Sequence, residues 1–161
     1  MLGNLSTKIY LKWIERKGFQ HGINFDMEKG ANIDSGFCKF ISCGDNVTIT
    51  KDVYILAHDA SMKKKLGKTK VGKVSIGNDV FIGAKTVVLS GVHIGDNVII
   101  GANSTVTKSI PSGEVWAGSP ARFIMMTEDF LEKHRLNMQK SISSKEEGLG
   151  ILENEKYIYV E

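Results

Sequence analysis

Aliphatic residues return at every sixth position through the middle of the chain: Ile76, Ile82, Val88, Ile94, Ile100 and Val106. A second register runs two residues earlier through Val74, Val80, Thr86, Val92 and Val98, and glycine follows the aliphatic residue at Gly77, Gly83, Gly95 and Gly101. A period of six matches neither the helical repeat near 3.6 nor the strand repeat of 2. It predicts a coiled sheet, in which each unit contributes a short strand and a turn and buries its aliphatic side chain by stacking on the next. Strands about 4.8 Å apart then place each Ile or Val over the one below. The glycines, together with Gly77-Asn78-Asp79 and Gly95-Asp96-Asn97, suit turns in which positive φ is tolerated.

Upstream the pattern is less regular, with Phe37, Cys43, Ile49 and Ile55 at steps of six and Ile41, Val47 and Val53 two residues earlier. Ile55 and Ile76 stand 21 residues apart, which is no multiple of six. Residues 58–73 are therefore expected to loop out of the coil. This loop opens on His58 and Asp59 and carries six lysines: Lys63, Lys64, Lys65, Lys68, Lys70 and Lys73. A short amphipathic helix is expected from Asn4 to about Lys17, with Leu5, Ile9 and Trp13 as its stripe, Tyr10 and Ile14 beside them, and Gly18 as its end. Its expected task is to cover the end of the stack; attachment to a membrane surface through Trp13 and the lysines is the other reading. After the exit turn at 107–113, Thr127 as N-cap and the stripe Phe130, Leu131, His134, Met138 predict a helix over about 128–140. From Ser141 on the chain reads as mobile, with Tyr157 to Val160 able to add a strand. The expected organisation is a helical cap (1–20), a repeat domain (21–124) and a helix with a tail (125–161).

Composition narrows this picture only a little. The 161 residues suffice for one domain with appendages, and 24% charged with 42% hydrophobic residues is ordinary for a globular protein. There is no apolar run of membrane-spanning length and no signal-peptide layout near Met1, so a cytoplasmic location is expected. Cys38 and Cys43 form no CxxC pair and read as core or turn residues. A net charge of +3 lends no support to nucleic-acid binding. The lysine run reads either as a solvated loop or as an attractor of anionic ligands.

The segments Ile76-Gly77-Asn78-Asp79-Val80-Phe81-Ile82-Gly83-Ala84, Gly91-Val92-His93-Ile94-Gly95-Asp96-Asn97, Ile100-Gly101-Ala102-Asn103-Ser104, Val106-Thr107-Lys108 and Gly118-Ser119-Pro120-Ala121-Arg122 resemble the hexapeptide-repeat acetyltransferases, over about residues 30–125. Within that family the chain is most similar to the maltose, galactoside and exopolysaccharide O-acetyltransferase branch. The resemblance implies an all-β solenoid, a left-handed parallel β-helix of hexapeptide repeats with a short N-terminal helix, one extruded loop and a C-terminal helix. It further implies acetyl-CoA as donor, a sugar or glycan precursor as acceptor, and a homotrimer with sites between subunits. The family's loop-opening histidine falls on His58, which makes it the expected general base, imidazole being suited to activate a weakly nucleophilic hydroxyl. Asp59 is the expected partner that holds the imidazole or binds a sugar hydroxyl, and Asn32 a further acceptor contact. The same pattern places CoA along Ala84 and Ala102, with Thr107, Lys108 and Arg122 toward its phosphates. The acceptor asparagine of the maltose and galactoside enzymes falls on Gly30 in this register, so the acceptor is expected to differ from theirs.

Three alternatives remain open on the residues: N-acetyl transfer to an amino sugar nucleotide or amino acid, a γ-type carbonic anhydrase, and a non-catalytic scaffold. The anhydrase needs three metal-binding histidines, and the repeat region offers only His58 and His93, the latter expected to point outward. No metal is expected.

Overall fold

The computed structural model describes residues 5–142, with side chains through residue 136. It opens with helix α1 (Leu5–Arg16), followed by β1 (Asp26–Met27), β2 (Asn32–Ile33), β3 (Ile41–Cys43), β4 (Thr48–Ile49) and β5 (Tyr54–Ile55). A hairpin of β6 (His58–Asp59), a single helical turn α2 (Lys63–Leu66) and β7 (Lys70–Val71) comes next. Then follow β8 (Val74–Ile76), β9 (Phe81–Ile82), β10 (Val87–Val88), β11 (His93–Ile94), β12 (Ile99–Ile100), β13 (Thr105–Val106), β14 (Glu114–Ala117), β15 (Arg122–Met126) and helix α3 (Thr127–Ile142).

Three sheets share the coil. One carries β3, β8 and β11, a second β1, β4, β9, β12 and β14 with β15 at its edge, and a third β2, β5, β10 and β13. Apart from the β6–β7 ribbon, strands from β1 to β13 belong to successive sheets, and Ile110, bridged to Ile94, marks the first face before β14, so the chain passes from face to face and returns to each one coil later. In the regular part Ser75 pairs in parallel with His93, Phe81 with Ile99 and Val87 with Thr105, a coil of 18 residues or three hexads. Both sequence registers point inward: Val74, Val80, Thr86, Val92 and Val98, like Ile82, Val88, Ile94, Ile100 and Val106, are buried.

The early coils depart from 18 twice. Thr48 pairs with Phe81 and Ile41 with Val74, a step of 33, so fifteen residues leave the coil as the expected loop. Asp26 pairs with Thr48 and Asn32 with Tyr54, a step of 22, so four more residues are inserted between Ile33 and Ile41. The second slip corrects the sequence frame: the inward residues of the first coil are Met27 and Ile33, not Phe37. Phe37 continues a six-residue step from Cys43 only by coincidence of that insertion. Both insertions lie at one corner, between the third and first faces.

The turns adopt positive φ within the expected Gly-Asx-Asx segments, at the last Asx and not at the glycine. Gly77 and Gly95 do not; Asn46, Asp79 and Asn97 do, at 56°, 56° and 54°. The glycine is required for close approach, since a Cβ on Gly77 would stand 2.8 Å from the Gly95 carbonyl carbon of the next coil. At this corner Asp45 N–H donates to Asn78 Oδ1 (2.9 Å), Asn78 N–H to Asp96 Oδ1 (2.6 Å) and Asp96 N–H to Ser112 Oγ (2.9 Å), a side-chain ladder that keeps the turns in register.

Helix α1 covers the first coil, as expected, but through the Tyr10 and Ile14 flank of its apolar face and not through the stripe of Leu5, Ile9 and Trp13. Ile14 is fully buried and Tyr10 and Leu11 pack on the core, whereas Leu5, Ile9 and Trp13 are exposed. The choice follows from the edge strand. Tyr10 OH donates to Ile33 O (2.8 Å) and accepts from Ile33 N–H (3.0 Å), satisfying backbone groups of β2 that have no strand beyond them. Ile14, one turn on, is then carried into the core. At the other end β15 folds back antiparallel on β14, and Thr127 begins α3 rather than capping it: its N–H donates to Gly113 O and its hydroxyl to Asn97 O. Of the predicted stripe, Leu131 is exposed, whereas Phe130 and His134 are half-buried with ring centroids 4.4 Å apart; the side chain of Met138 and the predicted tail beyond Ile142 lie outside the described residues.

Candidate active site

Because the two insertions leave the coil at the same corner, they bring together side chains that are distant in sequence. Asp34 follows the buried Ile33, and its N–H still donates to Ile55 O (2.9 Å) as part of the ladder. Its carboxylate therefore lies under the next coil, where Oδ2 accepts the Ala57 N–H (3.1 Å) and the Nδ1–H of His58. The Asp34 side chain is 5% exposed and that of His58 34%. A buried carboxylate needs such partners, and a hydrogen bond to an ionised acceptor is charge-assisted. Phe37, from the first insertion, stacks on the imidazole with centroids 4.6 Å apart and planes at 28°. His58 is thereby fixed on one side by a carboxylate and on one face by a ring, while Nε2 makes no hydrogen bond among the described residues. With Nδ1 protonated toward Asp34, Nε2 presents a lone pair, the tautomer a general base needs.

Asp59, expected to hold the imidazole, does not touch it. Its carboxylate is exposed and accepts the Ser61 N–H (2.9 Å), and that hydrogen bond is the main reason it titrates below the ordinary aspartate range. Asp34 and Phe37 are the residues the sequence reading missed. The available signal was the 22-residue step, which sets Asp34 one position past a core isoleucine at the corner where His58 leaves.

The remaining candidates divide between two corners. Thr107 and Lys108 are exposed at the corner that holds His58, two coils further on, following β13. Ala84 and Ala102 stack at the corner between the second and third faces, where Asn103 N–H donates to Ala84 O (2.7 Å). The side chains along that corner are small: a Cβ on Gly83 would stand 2.5 Å from Ala102 N, and one on Gly101 2.9 Å from Ala117 Cβ. Arg122 pairs with Ala117 across β14 and β15, which puts it at this second corner, exposed, with Nη1 donating to Ala121 O. One strand of the third face separates the corners, a span of at most about 20 Å for six residues. Asn32 lies on that face, exposed and paired with Tyr54, two residues before Asp34.

The lysine loop is a short ribbon, His58 opposite Val71 and Asp59 opposite Lys70, ended by α2 and Gly67 in the left-handed region at φ 65°. Lys63, Lys64, Lys65, Lys68 and Lys70 are all exposed. His93 points outward, as expected, and its Nδ1 meets Ser75 Oγ at 2.8 Å. Among the described residues no group of three His, Cys, Asp or Glu side chains is arranged to hold a metal, and no helix is long and apolar enough to cross a membrane.

Residues 73–108 match the family described as bacterial transferase hexapeptide (six repeats). A Dictyostelium discoideum protein provisionally named an acetyltransferase is 36% identical over 129 residues, covering 77% of this chain and 68% of its own. Bacillus subtilis YvoF, likewise provisionally named an acetyltransferase, is 38% identical over 100 residues, 62% of this chain. The match spans only 56% of YvoF, little more than half its length. Among solved structures, galactoside acetyltransferase in complex with coenzyme A superimposes with a TM-score of 0.60 at 27% identity, covering 77% of this chain and 72% of that one. The maltose O-acetyltransferase of Clostridium difficile gives a TM-score of 0.54 at 29% identity, covering 78% of each chain.

Proposed function

The chain belongs to the hexapeptide-repeat transferase family, and from that premise we propose that it transfers the acetyl group of acetyl-CoA to a hydroxyl of a sugar or surface-polysaccharide precursor. The observation that carries this reading is the imidazole of His58, anchored through Nδ1 on the buried Asp34 with Nε2 left unpaired. In the proposed step the acceptor O–H gives its proton to Nε2 as its oxygen attacks the thioester carbonyl. The C–S bond then breaks, and the same proton passes to the departing CoA sulfur. Asp34 holds the tautomer and stabilises the imidazolium formed in between. Phe37 fixes the ring plane. Coil handedness is left-handed in this reading, as in the sugar acetyltransferases it resembles.

On the donor side, Gly83 and Gly101 let the coils stack closely, and the small side chains of Ala84 and Ala102 at the same corner suit an extended pantetheine arm. Thr107, Lys108 and Arg122 are the proposed contacts to the phosphate end. Asn32 stands as a proposed acceptor contact and Asp59 as a weaker one at the loop mouth. The lysine loop supplies a positive field for CoA phosphates or an anionic acceptor; replacing Lys63, Lys64 and Lys65 by Gln is expected to raise the apparent KM at low salt and to matter less at high salt. The family likeness supports a homotrimer with sites between subunits, and two free cysteines suit a reducing cytoplasm.

The test is acetyl transfer to a panel of monosaccharides and nucleotide sugars, followed by CoA release and by product mass. His58→Ala is expected to lower kcat by about 10² to 10⁴ while acetyl-CoA binding persists. Failure of the native chain to bind acetyl-CoA or to release CoA with any acceptor refutes the enzyme reading, and transfer to amines alone refutes the O-acetyl assignment.

A further inference from the structure

The face that α1 turns away from the coil is the least expected surface of the molecule. Leu5, Ile9 and Trp13 are 75%, 61% and 42% exposed and form one stripe, at i, i+4 and i+8. Lys8 and Lys12 border it on one side, Lys17 on the other, and Arg16 lies along it; at 3.9 Å the Lys17 ammonium sits over the Trp13 ring. Glu15 is the helix's one acidic residue, and it is occupied by His21 at 2.9 Å. Lys8, Lys12 and Arg16 have no ion-pair partner among the described residues. Because the inner face of α1 is bonded to the edge strand β2 through Tyr10, the stripe looks away from the stack, and no described strand stands beyond it.

Three exposed apolar side chains within a basic border form the pattern of a helix that lies in a bilayer interface, with Trp at the level of the headgroups and cations toward phosphates. A second copy of this stripe is a poor occupant whatever the symmetry of the assembly, since packing stripe to stripe would set Lys8, Lys12 and Arg16 against their like. We propose that the outer face of α1 docks this protein onto an anionic lipid bilayer, Leu5, Ile9 and Trp13 entering the headgroup boundary and Lys8, Lys12 and Arg16 meeting lipid phosphates. The attachment is reversible, because three side chains bury little area and the cationic contribution is screened by salt. It would place the extruded loop and His58 on a molecule held near a membrane face, independently of which acceptor the site uses.

The experiment is co-sedimentation of the full chain with vesicles of phosphatidylcholine alone and of phosphatidylcholine containing about one third phosphatidylglycerol. Binding to the anionic vesicles only, loss of at least tenfold in Ile9→Gln/Trp13→Gln, and weakening by roughly fivefold per lysine in Lys8→Gln and Lys12→Gln are expected. Tryptophan emission should shift to the blue on binding in the native chain and not in Trp13→Phe. All these side chains are exposed, so unchanged melting curves are the control for folding. Equal sedimentation of the native chain and Ile9→Gln/Trp13→Gln overturns the proposal. So does absence of binding to either vesicle, and so does concentration-dependent self-association that these substitutions abolish without vesicles.

Discussion

The single contact between Asp34 and His58 joins residues 24 apart in sequence, and its chemistry depends on which of two aspartates faces the ring. Asp34→Asn keeps the shape of the side chain but replaces the acceptor carboxylate with a neutral amide that can be oriented either way, so the Nδ1–H tautomer loses its anchor. A fall in kcat of about 10² or more is expected, approaching the 10⁴ seen when a triad aspartate is replaced by Asn. Asp59→Asn is expected to leave kcat within about twofold, because that carboxylate is exposed and serves the Ser61 N–H. Measuring both variants under saturating acetyl-CoA separates the roles: if Asp59→Asn is the damaging one, the proposed dyad is wrong. His58 was picked out as the proposed base because the family's loop-opening histidine falls on it, where an irregular stretch interrupts a regular one. Asp34 was not, because its proximity depends on a four-residue insertion that hides in a weakly patterned region, where Phe37 counterfeits the repeat.

Among the elements, α1 tests how far amphipathic spacing determines packing. Spacing found the helix to within one residue at each end, yet the larger apolar stripe, Leu5, Ile9 and Trp13, is not the buried one. Hydrophobicity alone would favour that stripe; what outweighs it is the need of the β2 edge for a polar partner, and only Tyr10 can serve both groups of Ile33. Tyr10→Phe removes that partner and leaves the Ile33 N–H and C=O to whatever water can reach them. A loss of about 1 to 3 kcal/mol is expected, read as a lower midpoint in urea with unchanged slope. Burial is the main cause that raises the Tyr10 pKa above the ordinary phenol value. A raised folded pKa means that the neutral phenol's contribution is complete below the unfolded pKa near 10 and is lost as pH rises through the higher folded value. The stability gap between native and Tyr10→Phe should therefore be constant at neutral pH and narrow above about pH 10. Turns and hexads were legible for the opposite reason: each is local, and the same Ile, Gly and Asx choices repeat in neighbouring coils with the same neighbours.

For the molecule as a whole, each coil contacts chiefly the coils above and below it, so an insertion at a corner need not disturb the stack as long as the chain re-enters in frame. The 33-residue step from Tyr54 to Val87 against the regular 18 from Val87 to Thr105 gives the size of the excursion, and the Gly72 N–H donating to Ala57 O (2.9 Å) marks where it closes. Ala57 and Gly72 both occupy the level of Ser90 in the next coil, so deletion of residues 58–72 should restore an uninterrupted coil. Lys73 then takes the place equivalent to Gly91, whose φ is 84°, and Lys73→Gly is needed with the deletion to avoid left-handed strain at a side-chain-bearing residue. Asp34 keeps the Ala57 N–H but loses the imidazole, a cost of roughly 1 to 3 kcal/mol for a buried acceptor left short of a partner. The shortened chain is therefore expected to melt cooperatively, a few degrees lower per kcal/mol lost, and to retain acetyl-CoA binding by the later coils while showing no transfer above background. Circular dichroism melting and a binding titration read the two expectations separately. A collapse of cooperative melting would mean that the ribbon from His58 to Val71 supports the coil; retained transfer would mean that the reaction does not pass through His58.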